Sequence, residues 1–141
     1  MRYHAPNDRD VVNDPTINEL ELILRARPHS YWQQGGNGEA ALNAGPGGPS
    51  LWIKQPEPER FFLTFAKPPA DWLVPYNGGS CESLIEDERG GDPFWIPRAC
   101  LVGVDDAVEI VSCFLARSEP SARVQWRYWH DLPLPESYPN P

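Results

Sequence analysis

Basic side chains are scarce in this chain. Twelve Lys and Arg stand against twenty Asp and Glu, leaving a formal charge of −8. Such a surface repels phosphate backbones, so direct nucleic-acid binding is not expected. Cysteine is scarcer still: Cys81, Cys100 and Cys113 form an odd, widely spaced set, unlike the even and dense set of a secreted disulfide scaffold. Reduced, buried thiols are the expectation. Long apolar runs are missing too. The opening MRYHAPNDRDVVND carries charges where a secretory signal needs an apolar run, and no later stretch approaches the ~20 residues of a membrane span. A cytoplasmic protein without a membrane partner is therefore expected.

The motifs of common chemistries are also absent. Three cysteines and three histidines (His4, His29, His130) contain no close C-x₂₋₄-C or H-x₃₋₅-H spacing that would let one element supply two zinc ligands. The Gly-rich stretch around Gly35, Gly36 and Gly38 is not followed by Gly-Lys-Ser/Thr, and no G-x-G-x-x-G joins a strand to a helix, so phosphate cradling lacks its geometry. No metal, cofactor or catalytic residue is expected. A small hydrolase remains the rival from another class, because triad members need only meet in space.

What is present suits one domain, since 141 residues is close to the usual size of ~100 to 150. Residues 1–14 read as a loose arm ending in a short strand. Thr16-Ile17-Asn18-Glu19 has capping-box spacing, and Ile17, Leu20, Ile23 and Leu24 make one apolar stripe, so a helix should run from there to Pro28. Residues 31–49 look like a hairpin-type excursion. Strands are expected at 51–54, 60–67, 71–76, 81–86 and 94–97; in the second, Phe61, Leu63 and Phe65 face one way and Phe62, Thr64 and Ala66 the other. A second helix begins at Asp105 and Asp106 and ends near Arg117, with Val104, Ala107, Val108, Val111, Phe114 and Leu115 at helical spacing. Strict alternation in 123–128 predicts a last strand with Val124, Trp126 and Tyr128 inward. The order implies an α+β fold, an antiparallel sheet of about five to six strands covered on one face by two helices. Residues 1–128 form this domain, and 129–141, with Pro133, Pro135, Pro139 and Pro141, form a tail outside the packed core.

Two features exceed what a bland domain needs. One is the acidic cluster Glu82, Glu86, Asp87, Glu88 and Asp92. The other is six Trp and five Tyr, several beside Gly, Pro or charges, including Trp52, Trp72, Trp95 and Trp129. Acidic rims around aromatic anchors suit a basic partner, with Trp95 or Trp72 as anchor; both tryptophans fit a core role equally well.

In Gly90-Gly91-Asp92-Pro93-Phe94-Trp95-Ile96-Pro97, Leu101-Val102, the helix from Asp106-Ala107-Val108 to Phe114-Leu115, and Val124-Gln125-Trp126, the chain resembles the first-numbered immunity-protein family of bacterial polymorphic toxin systems. The helix around Glu19-Leu20 and the strand 61–65 fall in the same order, so the resemblance spans most of 11–128. Arg127 departs from the acidic residue expected after Trp126. The resemblance implies an α+β, non-enzymatic antidote that binds a cognate secreted toxin, often a nucleic-acid deaminase or nuclease; the toxic C-terminal domain is the expected target, and a monomer is expected when free. It carries no catalytic motif to this chain. A secretion chaperone or adaptor is the alternative binding module.

Overall fold

The structure is a computed structural model and describes residues 1–34, 38–69, 72–87 and 94–139. Its elements begin with a hairpin, β1 (Arg2–His4) and β2 (Val11–Asn13), followed by α1 (Ile17–Ala26). Four strands come next: β3 (Ala40–Asn43), β4 (Ser50–Glu57), β5 (Arg60–Ala66) and β6 (Leu73–Pro75). The chain continues through β7 (Leu84–Asp87), β8 (Phe94–Pro97), α2 (Val104–Arg117) and β9 (Trp126–Tyr128). Among the described residues, seven strands form one antiparallel sheet in the order β2-β1-β3-β4-β5-β6-β9, and β7 and β8 pair separately. The fold is α+β.

The first helix starts where its cap dictates. Thr16 Oγ1 accepts from the Glu19 N–H at 3.2 Å while the Glu19 carboxylate accepts from the Thr16 N–H at 3.2 Å, so two otherwise orphaned donors are satisfied. In α2, Asp105 and Asp106 sit in the first turn and each also holds an arginine, Arg25 and Arg123, at 2.8 Å. Both helices lie on the same face of the sheet. Leu20, Leu24, Ala107, Val111 and Phe114 pack there against Leu42, Leu51, Ile53, Phe61, Leu63 and Phe65, the inward set of a period-two pattern. Trp32 completes this layer with its ring edge-on to Phe61 at 5.4 Å.

Three expectations need correction. Residues 1–14 are not a loose arm: β1 lies inside the sheet between β2 and β3, with Tyr3 only 2% exposed. The Asn7 side chain closes that hairpin by accepting from the N–H groups of Arg9 and Asp10, and three-residue strands are too short for periodicity to reveal. The last strand is shorter than expected, and Tyr128 is exposed; β9 is an edge strand, and of the three inward-expected residues only its Trp126 and the preceding Val124 reach the helix-side core. The tail, finally, is packed. Leu132 is buried, Trp129 and Leu134 pack beside it, and Tyr138 donates its hydroxyl to the Trp95 carbonyl at 2.8 Å. Proline stops a segment from entering a ladder but does not keep the leucines between prolines from covering apolar surface.

The tail, β7, β8 and the turn Arg98–Cys100 therefore form a second layer on the sheet face opposite the helices. Its core joins Phe62, Val74, Tyr76 and Ile96 to Cys81, Cys100 and Leu101. Phe62, expected on the mixed face of β5, is 2% exposed for this reason.

Candidate functional site

The second layer does not reach across the whole sheet. Leu51 and Ile53 face the helices, so Trp52 and Lys54 must face the other way, and their cross-strand partners on β5 are Thr64 and Phe62. These four residues floor an open cleft of about 370 Å³ whose walls are Glu39, Ala66, Trp72 and Phe94. Ala41 pairs with Trp52 and Ala40 with Ile53; Glu39, one residue earlier, carries that register on to lie beside Lys54.

One wall is aromatic and rigid. The indoles of Trp72 and Trp129 stack with centroids 5.3 Å apart and planes 4° from parallel, and Phe94 leans on both. The Trp129 backbone N–H donates to the Trp72 backbone carbonyl at 3.0 Å, which ties this wall to the tail. Trp52 and Trp72 remain 37% and 38% exposed, although an indole is among the most favourable side chains to bury.

At the inner end lies a charged group. Lys54 donates to Asp87 at 2.6 Å and stands 3.6 Å from Glu39, with its ammonium 5.8 Å from the Phe94 ring centre. The Asp87 side chain is fully buried, so this pair fixes β7 onto β4. Glu39 is different. Its distance to Lys54 exceeds a hydrogen bond, and burial raises its carboxyl above the ordinary value despite the opposing pull of Lys54.

The residues singled out in the sequence are thus separated. Across the β7/β8 pair Glu86 faces Trp95, whereas Asp87 and Phe94 form the next pair and point to the opposite side. Glu86 and Trp95 consequently share the outer side, with Glu86 exposed and Trp95 half-buried, and Glu82 is exposed nearby in sequence. Trp72 belongs to the cleft. Asp87 lies inside the protein and is not part of an exposed acidic rim, because its carboxylate is spent on Lys54. Glu88 and Asp92 lie outside the described residues, as does the turn that holds them. Sequence reasoning passed over Glu39, Lys54 and Phe94. The available signal was the alternation Leu51-Trp52-Ile53-Lys54, which places a tryptophan and a lysine together on the side away from the core.

Other chemistry finds little footing among the described residues. No three His, Cys, Asp or Glu side chains are grouped to hold a metal ion. Both ring nitrogens of His29 are engaged at 2.6 Å, one with Gln55 and one with Gln33. Burial pushes the Cys100 thiol up to about 12, and Cys81 is raised by the same cause, so neither is poised as a thiolate. No described helix is long and apolar enough to cross a membrane. No protein-family model matches this chain, and no curated protein is significantly similar to it.

Proposed function

We propose that this protein is an immunity protein: a cytoplasmic antidote that binds the toxic domain of a cognate secreted toxin acting on nucleic acid, and blocks its active site or substrate groove. The observation that carries this reading is the aromatic cleft. Two half-exposed tryptophans line an open strip of the sheet, and aromatic anchors of this kind dominate protein interfaces. The charge supports it as well. A chain of net charge −8 with Glu82 and Glu86 exposed would be steered onto the positive groove that a nucleic-acid-acting toxin needs. An antidote must keep leakage low, so a dissociation constant of about 1 nM across roughly 1,600 Å² is expected.

The test is co-expression with the toxin encoded beside this gene. Trp52→Ala with Trp72→Ala should abolish protection and weaken toxin binding by ~100-fold or more, the scale of losing interface hot spots. The sheet should stay folded, because both side chains are already part-exposed. Full protection by the double variant would move the toxin-binding surface elsewhere. Capture of an unstructured export segment in place of the toxic domain would identify a secretion chaperone instead.

A further inference from the structure

We infer that the cleft receives an arginine side chain of the partner, its guanidinium stacked between Trp52 and Trp72 and bonded to the Glu39 carboxylate. This deepens the docking reading above and rests on it.

Geometry and charge select this occupant together. The cleft is open, is lined by Trp52 and Trp72, and at about 370 Å³ has room for one long side chain. A guanidinium lies flat on an indole and forks onto a carboxylate, which an ammonium cannot do as well. Lys54 already gives its short bond to Asp87, and Glu39 stands on its other side at 3.6 Å. Glu39 and Lys54 are the charged side chains of the lining, and with Lys54 already paired to buried Asp87 the three charges sum to one negative, which favours an entering cation at Glu39 over an anion.

The state of Glu39 agrees. Burial raises the Glu39 carboxyl more than Lys54 lowers it, so a guanidinium bonded there would stabilise the charged form further. Binding should therefore weaken as the pH falls and Glu39 takes up a proton.

The experiment uses the whole chain labelled with nitrogen-15 and follows its six tryptophan indole N–H signals, assigned by substitution. The probes are Nα-acetylarginine amide, its neutral isostere Nα-acetylcitrulline amide, and maltose, a sugar able to stack on indoles. The arginine probe should shift the Trp52 and Trp72 signals saturably and leave that of Trp126, whose indole donates to the Ser121 carbonyl at 2.7 Å, in place. Citrulline and maltose should do neither. Glu39→Gln should weaken the arginine probe by about 10-fold, the scale of one charge-assisted hydrogen bond, with an unchanged thermal midpoint or a higher one.

Equal shifts with citrulline, shifts with maltose alone, no saturable shift, or an unchanged affinity in Glu39→Gln would each overturn the inference. Toxin binding separates this failure from that of the docking reading. If the double tryptophan variant loses the toxin while Glu39→Gln keeps full affinity, the face stands and the arginine does not. If the double variant keeps the toxin, the face itself falls.

Discussion

The Lys54–Asp87 pair offers the sharpest test of how the cleft is held together. Asp87 has no exposed side-chain surface and Lys54 has 11%, so removing one partner leaves a charge in a poorly solvated place. Breaking buried pairs costs ~3 to 5 kcal/mol. Asp87→Asn belongs at the lower end, about 3 kcal/mol, because Glu39 still stands 3.6 Å from the ammonium. Lys54→Met belongs at the upper end, since it leaves buried Asp87 facing another carboxylate. A chain of 141 residues loses about 3 °C of midpoint per kcal/mol, so the expected drops are about 10 °C and 15 °C. The double variant Lys54→Met with Asp87→Leu should recover most of the loss, because replacing a whole buried pair by apolar groups is often neutral. Thermal unfolding of the four proteins at pH 7, followed by tryptophan fluorescence, measures each loss and the recovery. Single-variant losses below about 1 kcal/mol would refute the reasoning and mean that water reaches the pair and β7 is held by its apolar contacts alone.

Three other outcomes follow from the same structure. Truncation after Asp131 removes buried Leu132, Leu134 and the Tyr138 bond to Trp95, and should lower the midpoint by roughly 10 °C, since a buried leucine contributes ~1.5 to 3 kcal/mol and a hydrogen bond about 1; a drop under 3 °C would show the tail to be dispensable. Native protein at pH 8 should label with a thiol reagent at Cys113 alone, because burial raises Cys81 and Cys100, and mass spectrometry of peptides reads the result. Glu39, raised in the folded state, takes up its proton more readily there than in the unfolded chain, so its contribution to stability is full at acid pH and is lost as pH rises through the raised value. The midpoint of Glu39→Gln relative to wild type should accordingly climb from about pH 4.5 upward, and a flat or falling difference would contradict the desolvation of Glu39.

Much of the architecture was legible in local patterns. The Thr16–Glu19 box started α1, the acidic first turn and apolar spacing located α2, and the two faces of β5 were separated by the alternation of Phe61 to Ala66, because capping, helical spacing and pleat are short-range constraints. Pairing is not short-range. Whether β1 joins the sheet depends on Tyr3 meeting Leu42, 39 residues away, and whether Leu132 is buried depends on the bare face of β5 and β6, which no local window contains. The candidate site shows the same division. Composition showed only that tryptophan and acid are abundant; which acids and which tryptophans share a surface was decided by tertiary structure. β7 and β8 turned Asp87 inward to Lys54 and left Glu86 outside with Trp95, and the incomplete second layer left Trp52, Trp72 and Glu39 around one opening. Alternation assigns a side chain to a side of its strand. Only the packing of layers decides whether that side meets protein or water.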